Sequence, residues 1–340
     1  MRPTSPLAAR QDDTSLPSPD RFLSLVTDKL AATEGVFRRH LESDVPFIHG
    51  AGEYLAGSGG KRMRPALLLL CARLLDHDGE EEVTYAAVVE LIHTATLIHD
   101  DVIDHAPLRR GRRTVNELWG NSMTVLLGDW LYTTSMRMAL SHGNLDVVRE
   151  LCNATLKMVE GELLALQRLG SIDLSAEEYF AIIERKTAHL FAAACSVPCL
   201  MHPRRPDAAW SLQRYGRSLG TCFQLVDDLL DFTADERELG KPVLSDLKEG
   251  KLTLPLILML PRVGAAQRRL VEHVLEDGSF ERVAAEQVLE LVTREGTLDE
   301  ARELAEGLAE EALGALDGLP ASAAREALEQ APGFVLRRRS

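Results

Sequence analysis

Several features are missing from this chain of 340 residues. No apolar run reaches the roughly 20 residues that a membrane-spanning helix needs. Residues 1–19 are rich in Pro, Ser and Asp and lack the hydrophobic core of a secretion signal, so they read as a disordered tail ahead of one domain over 20–340. The five cysteines are odd in number, and no second Cys/His pair completes Cys195-x-x-x-Cys199 as a zinc site. They read as reduced, mostly buried thiols of a cytoplasmic protein. Positive charge is lacking overall: the net charge is −14, which argues against nonspecific nucleic-acid binding. There is no strand hairpin pattern, no β-α-β alternation and no fixed-period repeat. Nor is there a second Glu-x-x-His to match Glu90-x-x-His93, which sets a di-iron bundle aside.

What remains is helix. The chain is 45% hydrophobic, enough for a large core. Helical periodicity predicts helices over 66–75, 83–105, 121–142, 144–170, 175–201 and 206–234, with more over 256–331. The central ones are apolar nearly all round, as buried core helices are. Gly50, Gly52, Gly57, Gly59 and Gly60 predict that the chain turns between 50 and 60. The expected class is all-α, a single bundle of about a dozen helices.

Two acidic sets stand at the ends of apolar helical runs. The first is Asp100, Asp101 and Asp104; the second is Asp227, Asp228 and Asp231. Each spells D-D-x-x-D. At i and i+4, Asp100 and Asp104 share a helix face, and so do Asp227 and Asp231. Like charges so placed destabilise a helix unless a cation uses them. Oxygen ligands without Cys or His suit Mg2+, which is held through one or two carboxylates and shared with phosphates. Two such helices facing each other would grip a Mg2+-diphosphate.

Basic residues accompany them. Arg109, Arg110, Arg112 and Arg113 follow the first set. Lys61 and Arg64 open a helix after Gly59-Gly60, three residues apart, so both can point at one anion. Basic residues at the positive end of a helix are unfavourable without such an anion. His93 lies seven residues before Asp100, within about 20° of its face; it reads as a phosphate donor or as a core histidine.

Taken together, GGKRMRP, DDVID with RRG, KTA, and FQLVDD-x-x-D followed by GK, SDLKEGK and TLP resemble the trans-isoprenyl diphosphate synthases, from about residue 20 to the C-terminus. The resemblance implies a bundle of antiparallel helices around a central cavity, usually a homodimer. It implies Mg2+, about three ions held with the substrate diphosphate. It also implies condensation of isopentenyl diphosphate, head to tail, with an allylic diphosphate such as farnesyl or geranylgeranyl diphosphate. Position by position, it makes Asp100 and Asp104 metal ligands, with Asp101 beside them, and Asp227, Asp228 and Asp231 ligands of the remaining Mg2+ from the facing helix. Lys61, Arg64, His93 and Arg110 match the isopentenyl diphosphate site; Arg109, Lys186, Thr187, Gln224 and Lys241 match the allylic one. One departure stands at Leu244, where the family often has glycine.

Product length is read from the turn before Asp100. Short-chain members often carry an aromatic plug there; this chain has Ala95 and Thr96, so the tunnel reads as open. A helix of ~20 residues is ~30 Å long, deep enough for a long tail. Trp130, Tyr132, Met136 and Met138 are either its floor or ordinary packing. The expectation is an octaprenyl-like product for a quinone side chain, with a peripheral membrane contact as one route for its release. The rivals are a short-chain synthase, a class I terpene cyclase and a non-catalytic subunit of a heteromeric synthase.

Overall fold

The computed structural model describes residues 22–57, 60, 62–109, 111–201, 206–233 and 243–338; the expected tail at 1–19 lies outside them. The chain runs through α1 (Thr27–Arg39), α2 (Pro46–Ala56), α3 (Met63–Leu74), α4 (Glu81–Ile103), α5 (Val115–Trp119), α6 (Asn121–Leu140), α7 (Leu145–Gln167), α8 (Ala176–Ile183), α9 (His189–Met201) and α10 (Pro206–Thr233). It continues through α11 (Ser245–Lys248), α12 (Leu254–Met259), α13 (Ala265–Asp277), α14 (Ala285–Arg294), α15 (Thr297–Ala315) and α16 (Ala323–Leu336). The all-α class holds. Among the described residues no helix is long and apolar enough to cross a membrane.

The helices that read as apolar all round are the buried ones. In α3, Leu67 to Leu70 are all within 1% of fully buried, and α4 buries Tyr85, Leu91 and Ile92 completely. Next, α9 packs against α3, α7 and α10, while α4 packs against α3 and α6 and α10 against α15. Close approach is made possible by missing side chains. A Cβ on Gly220 would stand 2.7 Å from the Ala188 Cα, and one on Gly161 would stand 2.6 Å from the Lys186 nitrogen. So α10 and α7 both press on the segment 184–188.

That segment is a π-helical turn, Glu184–Ala188. The expected helix over 175–201 is therefore interrupted, and the interruption carries Lys186 and Thr187. Single π turns inside helices are frequent at functional sites.

Two local expectations are corrected. The turn expected at 50–60 is helical as far as Ala56. Gly52 is there because a side chain would meet Leu41, at 2.9 Å, and not because the chain reverses. The RRG stretch does form a hairpin, with Leu108–Arg109 antiparallel to Arg112–Arg113 and Gly111 at φ 72 in the turn. Two residues per strand are too few to leave a period-2 pattern.

The end of α4 is sharp. The Asp104 N–H donates to the Asp100 carbonyl at 2.8 Å, and His105 then takes φ 50, a left-handed C-terminal stop, two residues before Pro107. Asp100 and Asp104 thus occupy the last turn, at the rim of the bundle.

Candidate active site

Within the first acidic set the three carboxylates face different partners. Asp101 is 4% exposed and accepts from Arg109 Nε at 2.7 Å, which ties it to the hairpin. Asp104 meets Lys251 Nζ at 3.2 Å. Asp100 lies among Lys186, Glu162, Asp104 and Arg109. Burial pushes its carboxyl up to about 6, against the pull of Lys186 and with added push from Glu162 and Asp104. Lys186 itself pairs with Glu162. Burial opposes the Lys186 charge, but Asp100 and Glu162 hold its pKa above the ordinary lysine value. Lys251 is held up likewise, burial being outweighed by Asp104 and Glu249.

The second set is built otherwise. Asp228, 7% exposed, takes Tyr179 OH at 2.5 Å on Oδ2 and Gln224 Nε2 at 2.8 Å on Oδ1. Thr187 Oγ1 donates to Gln224 Oε1 at 2.8 Å. Burial drives the Asp228 carboxyl up to about 7 in spite of the Tyr179 and Gln224 hydrogen bonds. Asp231, 8% exposed, accepts from Ser245 N (3.0 Å), Ser245 Oγ (2.6 Å) and Asp246 N (3.1 Å). It therefore caps the first turn of α11, which the chain enters through Leu244 at φ 56. That is the position where the resemblance leads one to expect glycine. A left-handed non-glycine residue costs roughly 1–2 kcal/mol. Complete burial of the Leu244 side chain and its N–H bond to the Asp231 carbonyl (2.9 Å) offset it.

Asp227 is the most open of the three, its side chain 39% exposed, and it pairs with Arg338 Nη2 at 2.8 Å. Arg338 is therefore not the solvated tail residue that a run of three arginines at 337–339 would suggest. The Arg338 side chain is 8% exposed, stacks over Phe223 at 4.2 Å, and keeps Nε and Nη1 buried without a hydrogen-bond partner. Arg64 mirrors it. Its guanidinium lies 4.4 Å over Phe191, the ring next to Phe223, and its buried Nε also lacks a hydrogen-bond partner. Burial lowers the Arg64 pKa to about 10, with Glu90 and Asp227 opposing. Orphaned guanidinium donors of this kind suit an anion.

His93 lines a small cavity of ≈ 80 Å³ with Arg62, Glu90, Asp101, Arg109 and Arg113. Lys186, Thr187 and Gln224 line a larger one of ≈ 340 Å³, bordered by Asp104 and Asp228. Lys61, Arg110 and Lys241 lie outside the described residues. Ala95 is 2% exposed, and Thr96 turns its hydroxyl to the His93 carbonyl at 2.8 Å. Of the floor candidates, Met138 is buried, while Trp130, Tyr132 and Met136 pack partly buried on the core. The sequence reading missed Glu162, Tyr179, Asp246, Lys251 and Arg338. Asp246 and Lys251 left a signal, as parts of SDLKEGK.

Magnesium fits the donors present. Among the described residues no three His, Cys, Asp or Glu side chains are gathered to hold an ion alone. Hard cations such as Mg2+ bind through one or two carboxylates together with phosphate oxygens. Asp104 and Asp227 each already face a cationic side chain, and buried Asp100 ionises at a cost that a cation would remove.

Known proteins resemble this chain over most of its length. The chain is 40% identical over 309 residues to octaprenyl diphosphate synthase of Escherichia coli, covering 91% of this chain and 95% of that protein. It is 37% identical over 292 residues to a short chain isoprenyl diphosphate synthase of Methanothermobacter thermautotrophicus, covering 85% and 89%. A crystal structure of polyprenyl synthase from Caulobacter crescentus, complexed with calcium and isoprenyl diphosphate, superposes with a TM-score of 0.90 at 36% identity, covering 95% of this chain and 98% of that one. The polyprenyl synthetase family model matches residues 45–292. By that match, and by relatives aligned over nearly their whole length, this chain belongs to the polyprenyl synthetase family.

Proposed function

We propose that this prenyltransferase condenses isopentenyl diphosphate head to tail with an allylic diphosphate, farnesyl or geranylgeranyl, and makes a long-chain trans-polyprenyl diphosphate of octaprenyl type. The observation that carries the reading is the pair of acidic helix ends on a cavity whose walls hold Lys186, Thr187 and Gln224. Length is supported by the octaprenyl relative and by the small side chains Ala95 and Thr96. A short-chain product stays in play through the short-chain relative.

In this mechanism Asp100, Asp104 and Asp227 would hold Mg2+, about three ions, together with the allylic diphosphate, whereas Asp231, expected to join them, instead caps α11. When bound, the metal supplies charge that stabilises the leaving diphosphate. Lys186 and Lys251 turn from their carboxylates to the same oxygens, with Lys241 and Arg109. The allylic C–O bond breaks and its electron pair leaves with the diphosphate. Arg64, His93, Lys61 and Arg110 hold isopentenyl diphosphate in line, so that its double bond attacks the allyl cation. The new C–C bond forms, and the proton lost from the adduct goes to the released diphosphate. Packed apolar helices keep water from the cation.

The protein works as a homodimer in this reading. Leu156, Val159, Leu163 and Leu166 recur every three or four residues along α7 and are 57, 51, 56 and 41% exposed. An apolar stripe of that kind suits a second copy, and a solution mass near twice 37.5 kDa is expected.

The deciding experiment incubates the purified chain with Mg2+, farnesyl diphosphate and labelled isopentenyl diphosphate, then sizes the dephosphorylated products. A dominant long product is expected, shortened in Ala95→Phe. A C15–C20 ceiling overturns the long-chain reading, and no incorporation points to a non-catalytic subunit.

A further inference from the structure

Tyr179 has no part in the mechanism above, yet its phenol is 3% exposed and spends its proton on a site carboxylate. It sits in α8, which a capping box fixes: Ser175 Oγ accepts from Glu178 N at 3.2 Å, and Glu178 Oε2 accepts from Ser175 N at 3.0 Å. Eight residues on, Thr187 touches Gln224; Tyr179 touches Asp228, four residues beyond Gln224. These two rungs run in opposite directions along α10. They clamp the segment that contains the π-helical turn, and so set where Lys186 stands.

The hydrogen-bond directions close. Tyr179 donates to Oδ2 of Asp228, and Gln224 donates one amide hydrogen to Oδ1. The Gln224 oxygen accepts from Thr187. Both Asp228 oxygens are engaged by neutral donors, and the amide of Gln224 can face only one way. Its second N–H is left for an anion in the cavity that Gln224 lines. Without the phenol, Oδ2 loses its donor, the carboxylate is free to turn, and the orientation of Gln224 is no longer imposed.

We propose that Tyr179 is a positioning residue for the allylic diphosphate, acting through Asp228 to orient Gln224, Thr187 and the π-helical turn. Asp228 then serves as a fixed post and not as a ligand of the diphosphate-bound cation. This inference rests on the prenyl transfer reading of the same site.

The test is a double-mutant cycle on the full chain with Tyr179→Phe, Asp228→Asn and both together. Two measurements are made: steady-state kinetics, and calorimetric binding of inorganic diphosphate with Mg2+. Removing a supporting hydrogen bond of this sort costs about 10–100-fold. Tyr179→Phe is expected to weaken diphosphate binding and to raise KM for the allylic substrate by about 10-fold, leaving KM for isopentenyl diphosphate within about twofold. The double variant is expected to be no worse than Asp228→Asn. Equal rises in both KM values, a lowered melting temperature with unchanged diphosphate affinity, or losses that multiply in the double variant would each overturn the role. An inactive wild type would count against prenyl transfer alone, because the diphosphate binding cycle still reports on Tyr179.

Discussion

Asp104 and Asp231 occupy the same place in their triplets, yet one faces a lysine across a cavity and the other faces the start of a helix. Throughout the first set the partners are charged side chains from elsewhere in the fold: Arg109 on Asp101, Lys186 near Asp100, Lys251 on Asp104. In the second set, Asp228 and Asp231 are tied by Tyr179, Gln224, Ser245 and a backbone amide. A lysine can leave a carboxylate for a diphosphate and be replaced by a metal ion. A backbone N–H at a helix start cannot. The same spacing thus encodes an exchangeable set and a fixed one, with Asp227 and its arginine as the exchangeable exception in the second.

The strongest way to break this contrast is to truncate the two equivalent residues. In the proposed mechanism Asp104→Ala removes a charge that the transition state needs, so kcat is expected to fall by about 10²–10³-fold, with a melting temperature near wild type. Asp231→Ala removes a helix cap worth about 1–2 kcal/mol. Its melting temperature is expected to drop by about 1–3 °C, with a smaller loss of turnover that follows from the loosened α11. Equal turnover losses without a difference in melting would show that both sets do one job.

A smaller effect is expected at Asp227. Arg338 holds that carboxylate in a partly exposed pair, of a kind worth about 0.2–1 kcal/mol. Arg338→Gln is expected to lower the half-saturating Mg2+ concentration by about two- to fivefold, read as Mn2+ or Mg2+ titrations with inorganic diphosphate. An unchanged midpoint would place Asp227 with the fixed residues.

The helices, their burial and both acidic sets were legible because periodicity and spacing are local. The contrast between the sets was not, because apart from Gln224 on Asp228 the contacts that make it come from outside the two acidic stretches. Tyr179 is 49 residues from Asp228, and Ser245 is 14 from Asp231. No pattern in FQLVDDLLD tells an aspartate that caps a distant turn from one that waits for a cation. Arg338 was visible only as one basic residue in a basic tail. Gly52 was misread for a related reason: its value lies in the space it leaves for Leu41, which is a tertiary fact.

The smallest expected effect separates the two sets by pH. In metal-free protein the carboxyls of Asp100 and Asp228 are pushed up by burial, to about 6 and about 7, from 3.8. Between the unfolded and the folded value the native state therefore holds more protons than the unfolded chain. Stability must then fall as pH rises through that window, the reverse of the usual salt-bridged aspartate. In EDTA the melting temperature is expected to decline from pH 5 to 8 by a few degrees. Asp100→Asn and Asp228→Asn should each flatten part of the decline, and Asp228→Asn should act to the higher pH. Buried Asp246, pushed up in the same direction beside Asp231 and Asp228, adds to the same decline, so the measure of the fixed set is the part of the slope that Asp228→Asn removes, and no part removed would mean that Asp228 is as exposed to exchange as Asp104.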